Sequence, residues 1–320
     1  MGISAQNKAR IGLTGGVTAA LMGALLAGCA VTATPVAAET PLPIPGMAPA
    51  ASTPVQGVIP TIGPTSTPTP RPTPTSTPLP AVWTRLAPGI EQRYLQAAIP
   101  EQEAYSTVYA LRLDPAVIQF EVYYDPAQPR SMEEWQAFTG APIIFNAGFF
   151  GQDNRPVGRL VVDGAEFGFP LIREYGPESL SISGIFAVTE EGEAAIYAVG
   201  RDSYSPRGMR FEQAIESYPM LLLPGQVPTF PEDTGKRARR TIIGIDEWGY
   251  VVVLLIDQPI YSLYETTHWL SGSDLRLDSA LNLDGGRSSG LAVSLPGAPV
   301  LIPSYVPLPT VLMAYPRGSR

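Results

Sequence analysis

Thr241 to Asp257 have the sequence TIIGIDEWGYVVVLLID, in which two apolar runs flank a short polar segment. The β-branched residues in both runs favour strands. Glu247-Trp248-Gly249 supplies the turn chemistry between them. The stretch therefore predicts an apolar hairpin with strands at Thr241–Asp246 and Val251–Asp257.

More strands than helices are predicted around this hairpin. The helices are a short one that begins at the capping box Ser131-Met132-Glu133-Glu134 and runs through Phe138, and a second within Tyr261–Leu270. The strands are Tyr105–Leu113, Val117–Tyr124, Pro142–Asn146, Val157–Asp163, and Ser181–Val199 interrupted by a turn at Glu190–Glu193. Many strands with few short helices predict an α+β domain, with one extensive mixed or antiparallel sheet or two packed sheets.

Downstream of the hairpin, Ala280–Leu291 has the sequence ALNLDGGRSSGL. A strand that stops at Asp284-Gly285-Gly286 leaves the Asp284 carboxylate exposed at the end of the sheet, because glycine allows the backbone to turn there. The backbone N–H groups of such a turn can form an anion-binding nest, and Ser288 and Ser289 add hydroxyl donors. The alternative is an ordinary β-turn with solvated Asp and Ser side chains.

The N-terminus predicts an export signal. Lys8 and Arg10 precede an uncharged stretch, Ile11–Gly28, that ends in Leu26-Ala27-Gly28-Cys29 and is similar to the lipobox of bacterial lipoproteins. Cys29 is the only cysteine, so no internal disulfide can form and the predicted lipidation uses the single thiol. An uncleaved membrane anchor is the alternative. Both interpretations place the remainder outside the cytoplasm.

Residues 29–82 are predicted to be a disordered tether between the signal, residues 1–28, and a globular domain, residues 83–320. Residues 31–80 contain 14 prolines and only two charged residues, Glu39 and Arg71. Such a Pro/Thr-rich segment favours extended polyproline II structure and cannot build a core. We therefore expect a domain held away from a membrane by a lipid anchor at Cys29 and a long spacer.

Composition excludes several classes of function. Without Lys8 and Arg10 the chain has 19 basic and 29 acidic residues, a formal net charge of −10, so nucleic-acid binding is not expected. One histidine, His268, and no Gly-x-Ser-x-Gly elbow argue against a serine-hydrolase triad. The same scarcity of His and Cys argues against a zinc site. No cofactor is required by the sequence, although an oxygen-ligated Ca²⁺ or Mg²⁺ near Asp284 stays open.

Five motifs in series resemble the phosphodiester glycosidase family, which includes the mannose-6-phosphate uncovering enzyme. The resemblance covers roughly residues 105–315. The segments that carry it are Phe145–Phe150 with Pro156–Gly158 and Asp163-Gly164, Tyr218–Leu221 with Gly225, Arg240–Gly244, Asn282–Ser289, and Val306-Pro307 with Val311-Leu312.

The resemblance implies hydrolysis of a sugar 1-phosphodiester. Asp284 is then the candidate carboxylate that transfers a proton, and Arg240 the candidate phosphate ligand, because a guanidinium binds phosphate in a bidentate way. A second carboxylate is expected at Asp257, with Asp163 and Asp153 as further options. The predicted substrate-binding residues are Asn146, Phe149, Gly285, Gly286, Arg287, Ser288 and Ser289, with backbone capping as the alternative for Asn146 and core packing for Phe149 or Phe150.

Two departures from the family pattern concern the substrate. Arg287 stands where the family commonly has a third glycine, and Gln258-Pro259 follows Asp257 where the family often has Gly-Arg. Arg287 adds a cation beside the predicted nest, which either favours a more anionic substrate or blocks the pocket. The alternative function is a non-catalytic envelope module that binds anionic polysaccharide with the same pocket.

Overall fold

A computed structural model describes residues 83–171, 182–199, 210–230 and 232–319, which belong to one unit, Thr73–Arg320. The predicted leader, Cys29 and the Pro/Thr-rich tether lie outside the described residues. Within those residues, no helix combines the length and the apolar character needed to cross a bilayer.

The described part of the chain is built mainly from strands. The strands are β1 (Thr84–Ala87), β2 (Ile90–Ile99), β3 (Ala104–Leu113), β4 (Ile118–Tyr124), β5 (Ile143–Asn146), β6 (Leu160–Val162), β7 (Ala165–Phe167), β8 (Gly184–Val188), β9 (Ala194–Ala198), β10 (Gln213–Ser217), β11 (Met220–Leu223), β12 (Val227–Pro228), β13 (Arg240–Asp246), β14 (Val251–Ile256), β15 (Leu277–Asn282), β16 (Leu291–Val293), β17 (Val300–Ile302) and β18 (Thr310–Pro316). The two α-helices among the described residues are α1 (Met132–Thr139) and α2 (Leu263–Gly272).

These strands form three sheets, which we call the large sheet, the second sheet and the third sheet. The large sheet has the order β1-β2-β3-β14-β13-β15-β11-β12, the second sheet β17-β16-β5-β18-β4, and the third sheet β7-β6-β10-β8-β9. Every pairing between the named strands is antiparallel. The fold is therefore mainly β, which corrects the α+β expectation. The predicted abundance of strands is correct, whereas two short helices are too few for that class.

The hairpin β13–β14 lies in the middle of the large sheet and is apolar on both faces. Val251, Val253 and Leu255 of β14 belong to a core shared by all three sheets, whereas Val252 and Leu254 pack on the opposite face with residues of α2. A strand buried on both faces needs an uninterrupted apolar sequence, because successive side chains point to opposite faces. This explains why the hairpin gives the strongest strand signal in the chain.

Each helix covers the outer face of one sheet. The helix α1 contributes Met132 and Trp135 to a cluster with residues of the second sheet. The Ser131 hydroxyl accepts a hydrogen bond from the Glu134 N–H, and the Glu134 carboxylate accepts one from the Ser131 N–H. This reciprocal cap confirms the helix start read from the sequence.

The chain passes from the large sheet to the second sheet through residues 283–290. Asn282 ends β15 in the large sheet, and Leu291 begins β16, where it pairs with Phe145 of β5. The predicted chemical segment is therefore the crossover between two sheets, and the candidate site lies where their strand ends meet.

Candidate functional site

Backbone hydrogen bonds fix the crossover at both sheets. The Leu283 N–H donates to the Thr241 carbonyl at 2.9 Å, and the Asp284 N–H donates to the Ala147 carbonyl at 3.1 Å. The first partner belongs to β13 of the large sheet, and the second follows β5 of the second sheet. The backbone of Asp284 is thus held between the two sheets.

Asp284 is the most perturbed carboxylate of this region. Its side chain accepts hydrogen bonds from the Ser288 hydroxyl and from the Gly285 N–H. No Lys, Arg or His nitrogen of the described residues forms an ion pair with it. Burial raises the pKa of Asp284 to about 6, because desolvation outweighs the two hydrogen bonds. Such a carboxyl can change its protonation state near neutral pH.

Asn146 is buried, with 1% of its surface exposed, and it joins the crossover to both sheets. Its Nδ2 donates to the carbonyls of Asp284 at 2.7 Å and of Ala147 at 3.3 Å. Its Oδ1 accepts from the Thr241 hydroxyl at 2.7 Å and from the Gly290 N–H at 3.1 Å. The amide is thus fully used in holding Asp284 and the crossover in place. This is the backbone-binding alternative, and it leaves Asn146 no free group for a substrate.

Arg240 begins β13, the strand that pairs with β15. The register between the two strands ends with Ile242 paired to Asn282, and the Leu283 N–H bonds to the Thr241 carbonyl just beyond it. Arg240 and Asp284 therefore both lie next to this end of the paired strands. The guanidinium lies beside the turn after Asp284, because a Cβ built on Gly285 would be 3.8 Å from Arg240 Nη1.

The Arg240 guanidinium is a buried cation without a described anionic partner. The residue is 8% exposed, and Nη2 donates to the Lys236 carbonyl at 2.9 Å. Its Nε is buried and has no hydrogen-bond acceptor among the described residues. Desolvation lowers the pKa of Arg240 to about 10, so the side chain is still charged at neutral pH. An uncompensated buried cation is costly, and a bound anion would remove that cost.

The two glycines do not form the predicted anion nest. The Gly285 N–H donates to the Asp284 carboxylate, and the Gly286 N–H donates to the Arg239 carbonyl at 2.8 Å. Gly286 has a φ of +62°, which explains the need for glycine there. We therefore correct the expectation: this turn shapes Asp284 rather than offering these two N–H groups to a ligand.

Asp257, the expected second carboxylate, pairs with Arg239. The Asp257 Oδ1 accepts from Arg239 Nη2 at 2.8 Å and from Nε at 3.2 Å. The Asp257 side chain remains 37% exposed, whereas that of Arg239 is 6% exposed. We call the turn Asp284–Ser288 the signature turn. Because the Arg239 carbonyl also accepts a hydrogen bond from the Gly286 N–H, Asp257 is connected to the signature turn through Arg239. The other options are engaged in local structure: Asp163 accepts from Gln213 Nε2 at 2.8 Å, and Asp153 accepts from the Arg155 N–H at 3.2 Å.

The remaining predicted substrate-binding residues have different environments. Ser288 contacts Asp284, whereas Ser289 is fully buried and its Oγ has no described hydrogen-bond partner. Arg287 is exposed and donates from Nη2 to the Tyr305 carbonyl at 3.3 Å. Phe149 is partly exposed and lines a small recess with Gly148, Arg159 and Glu216. Phe150 packs against the cluster around α1.

Two residues near the turn were not predicted from the sequence, Arg239 and Tyr305. The Arg239 guanidinium lies 4.3 Å from the centre of the Tyr305 ring and donates to the Pro303 carbonyl at 3.2 Å. Arg239 belongs to the basic cluster of residues 236–240, which predicts either an anionic substrate or a solvated loop at this segment and gives no sign of an aromatic partner. Tyr305 directly precedes Val306-Pro307 but carries no pattern of its own.

The described residues contain no group of three or more His, Cys, Asp or Glu side chains with the spacing of a metal site. The Ca²⁺ or Mg²⁺ left open by the sequence has no further support from this arrangement.

Comparisons with known proteins agree with the segments quoted above. A family model described as "Phosphodiester glycosidase" matches residues 139–313, more than half of the chain. The catalytic domain of zebrafish N-acetylglucosamine-1-phosphodiester alpha-N-acetylglucosaminidase, described as auto-inhibited by its pro-peptide, is similar in structure, with a TM-score of 0.54 and 18% identity over 72% of this chain and 85% of that chain. A hypothetical protein from Synechocystis is similar with a TM-score of 0.50 and 15% identity over 73% of this chain and 63% of that chain. No curated protein sequence matches this chain.

Proposed function

Because this chain belongs to the phosphodiester glycosidase family, we propose that it hydrolyses a sugar 1-phosphodiester to the free sugar and a phosphomonoester. The family match confirms the resemblance found in the sequence motifs. One observation carries the proposal to this site: the Arg240 guanidinium lies beside the turn that follows Asp284, and neither side chain forms an ion pair within the described residues.

Arg240 is assigned the phosphate. A phosphodiester carries one negative charge and two free oxygens, and a planar guanidinium can donate to both. Burial strengthens this interaction, because little water competes for the charge. The uncompensated cation at Arg240 therefore favours an anionic ligand, which a site for neutral sugars alone would not need.

Asp284 is the group that accepts a proton from the attacking water in this proposal. A phosphomonoester is a weakly basic leaving group that departs without protonation when a cation binds it, so the step that needs help is the attack by water. In the proposed step, the water oxygen bonds to the anomeric carbon, the bond from that carbon to the phosphate oxygen breaks, and the water proton passes to Asp284. The bond electrons leave with the phosphate at Arg240. A carboxylate with a pKa of about 6 is largely ionised at pH 7 and is suited to this role.

We also propose that the enzyme is exported and held at the outer face of the membrane by lipid on Cys29. The support is the charged start, the uncharged stretch and the Leu26–Cys29 lipobox in the sequence. Metabolic labelling with a fatty acid should mark the wild-type protein and not Cys29→Ala. Labelling of both proteins, or of neither, would contradict the lipid anchor.

The test of function is turnover of an N-acetylglucosamine 1-phosphodiester by wild type, Asp284→Asn and Arg240→Ala. Wild type should release sugar, and each variant should lose at least about a hundredfold in kcat/KM, the scale expected for a missing proton-transfer group or charge-stabilising donor. In ¹⁸O-labelled water the label should enter the sugar. Label in the phosphate would show attack at phosphorus and would overturn the proton assignment.

The alternative, a non-catalytic module, is separated by the same preparation. No turnover of any sugar phosphodiester, combined with retained binding of anionic polysaccharide, would refute the hydrolase and support the module. Repeating the wild-type assay after chelation with EDTA shows whether a metal ion contributes. Arg240 supplies the phosphate's counter-charge in our proposal, so we expect the rate to be unchanged.

A further inference from the structure

The exposed ring of Tyr305 lies beside the signature turn. Tyr305 is 56% exposed although one face of its ring rests on the Arg239 guanidinium. Its N–H donates to the Arg287 carbonyl at 2.7 Å, and its own carbonyl accepts from Arg287 Nη2 at 3.3 Å. Arg287 follows Asp284 by three residues through a tight turn, with a rise of about 2 Å per residue in such helical turns. The backbone of Tyr305 is therefore bonded to the turn that begins at Asp284.

The ring rests on a side chain that is itself held by several hydrogen bonds. The Arg239 guanidinium is fixed by two hydrogen bonds to the Asp257 carboxylate, one to the Asp257 carbonyl and two to the Pro303 carbonyl. The Gly286 N–H binds the carbonyl of the same arginine. The position of the ring is consequently tied to the turn that carries Asp284.

Polar groups suited to sugar hydroxyls are connected to Tyr305 through Arg239 and Arg287. Asp257 Oδ1 is occupied by Arg239, whereas the only described partner of Oδ2 is the Gln258 amide at 3.4 Å. Arg287 is exposed and bonds to the Tyr305 carbonyl. An exposed aromatic ring, with a carboxylate, an amide and a guanidinium on the residues bonded to its neighbours, matches a pyranose, whose C–H groups cover a ring face while its hydroxyls point outward to hydrogen-bonding groups.

We propose that Tyr305, with Asp257, Gln258 and Arg287 at its edge, forms a pyranose-binding subsite of the active site. The proposal rests on the proposed function and extends it, because it assigns the sugar to one face of the signature turn and the phosphate to Arg240. It also gives Asp257 a role as a hydroxyl acceptor and gives Arg287 a position next to the sugar.

The experiment compares Tyr305→Ala, Tyr305→Phe and wild type in the full chain. Tyr305→Ala should raise KM for an N-acetylglucosamine 1-phosphodiester about tenfold with kcat changed less than twofold, as expected when binding shared by ground and transition states is lost. Tyr305→Phe keeps the ring and should behave as wild type. Tyr94→Ala is the matched control, because Tyr94 is 57% exposed on β2 and should leave KM unchanged.

Two substrates identify which sugar binds. One substrate is a sugar 1-phosphate methyl ester, and the other carries a second saccharide in place of the methyl group. If the subsite binds the sugar that is released, the rise in KM appears with both substrates. If it binds the second saccharide, the rise in KM appears only with the substrate that contains it. Both outcomes support a pyranose subsite.

Other outcomes overturn the subsite. An unchanged KM in Tyr305→Ala with both substrates, or an equal loss in Tyr305→Phe, would show that the ring face does not bind sugar. A lower melting temperature and lower kcat with unchanged KM would show that Tyr305 only shields the Arg239–Asp257 pair. If wild type turns over no phosphodiester, the proposed function fails by itself. Saturation-transfer NMR with N-acetylglucosamine 1-phosphate, lost in Tyr305→Ala and kept in Tyr305→Phe, then still decides the subsite.

Discussion

Replacing Ser288 by alanine tests whether Asp284 is the titrating base. The Ser288 hydroxyl donates to the Asp284 carboxylate and lowers its pKa, against the larger opposite effect of burial. A hydrogen bond to a charged group contributes about 1.5–3 kcal/mol, and about 1.4 kcal/mol corresponds to one pKa unit. At the lower end of that range, Ser288→Ala should raise the pKa of Asp284 by about one unit, from about 6 to about 7.

The assay is the pH dependence of kcat/KM, which reports ionisation of the free enzyme. Because the base must be unprotonated, activity should fall as pH drops through about 6 in wild type and through about 7 in Ser288→Ala. Ser289→Ala is the control, because Ser289 neighbours Ser288 but is not among the groups that perturb Asp284. An acid limb at the same pH in Ser288→Ala and wild type, or an equal displacement in Ser289→Ala, would refute the assignment of the limb to Asp284.

Three further predictions concern stability as well as activity. Asp284→Asn should stabilise the protein above pH 6 by about 1–3 kcal/mol, because ionisation of a carboxyl whose pKa is raised in the fold lowers the free energy of unfolding. The gain should vanish below pH 4, and thermal melting at pH 4 and pH 8 measures it. Asn146→Ala should destabilise the protein by at least about 3 kcal/mol, because it leaves the Gly290 N–H, the Thr241 hydroxyl and the Asp284 carbonyl unpaired; denaturant unfolding showing a loss below 1 kcal/mol would contradict this. Arg240→Met should abolish turnover and leave the melting temperature equal or higher, because it removes an uncompensated buried charge. Arg239→Met should instead lower the melting temperature, because it leaves the Asp257 carboxylate without its partner.

Much of the strand content could be predicted because it follows from the pattern of neighbouring residues in the sequence. The runs that form β5, β13 and β14 are apolar, rich in β-branched residues and bounded by turn residues, and α1 carries its own cap. The strand β2, IEQRYLQAAI, was not predicted, because it mixes polar residues and alanines and is only partly buried. Its strand state comes from pairing with β3 over its whole length.

The number of sheets could not be predicted, because pairing between strands is not local in sequence. The strands β3 and β4 are consecutive and joined by a short turn, yet the first pairs in the large sheet and the second in the second sheet. A turn at Asp114-Pro115 predicts a reversal of the chain, but it does not say whether the two strands share hydrogen bonds. The choice between one sheet and several is therefore made by the tertiary structure.

The candidate site was predictable to the level of residue types and not of hydrogen bonds. The Asp-Gly-Gly sequence locates a carboxylate at a strand end, and the arginine-led strand locates a cation. Whether the Gly286 N–H is free depends on the Arg239 carbonyl, which is 47 positions earlier in the chain and belongs to a different segment. The same holds for Asn146, whose four partners come from three separate segments.

The Asn146 amide also affects the order in which the protein can become active during folding. Its bond to the Asp284 carbonyl joins residues 138 positions apart, and contacts of such long sequence separation form late because closing the intervening loop costs entropy. The carboxylate therefore reaches its desolvated position only when the large and second sheets have docked. A partly folded chain with intact individual sheets should have no activity. The rate at which turnover returns during refolding would therefore measure the docking of the two sheets rather than the formation of either one.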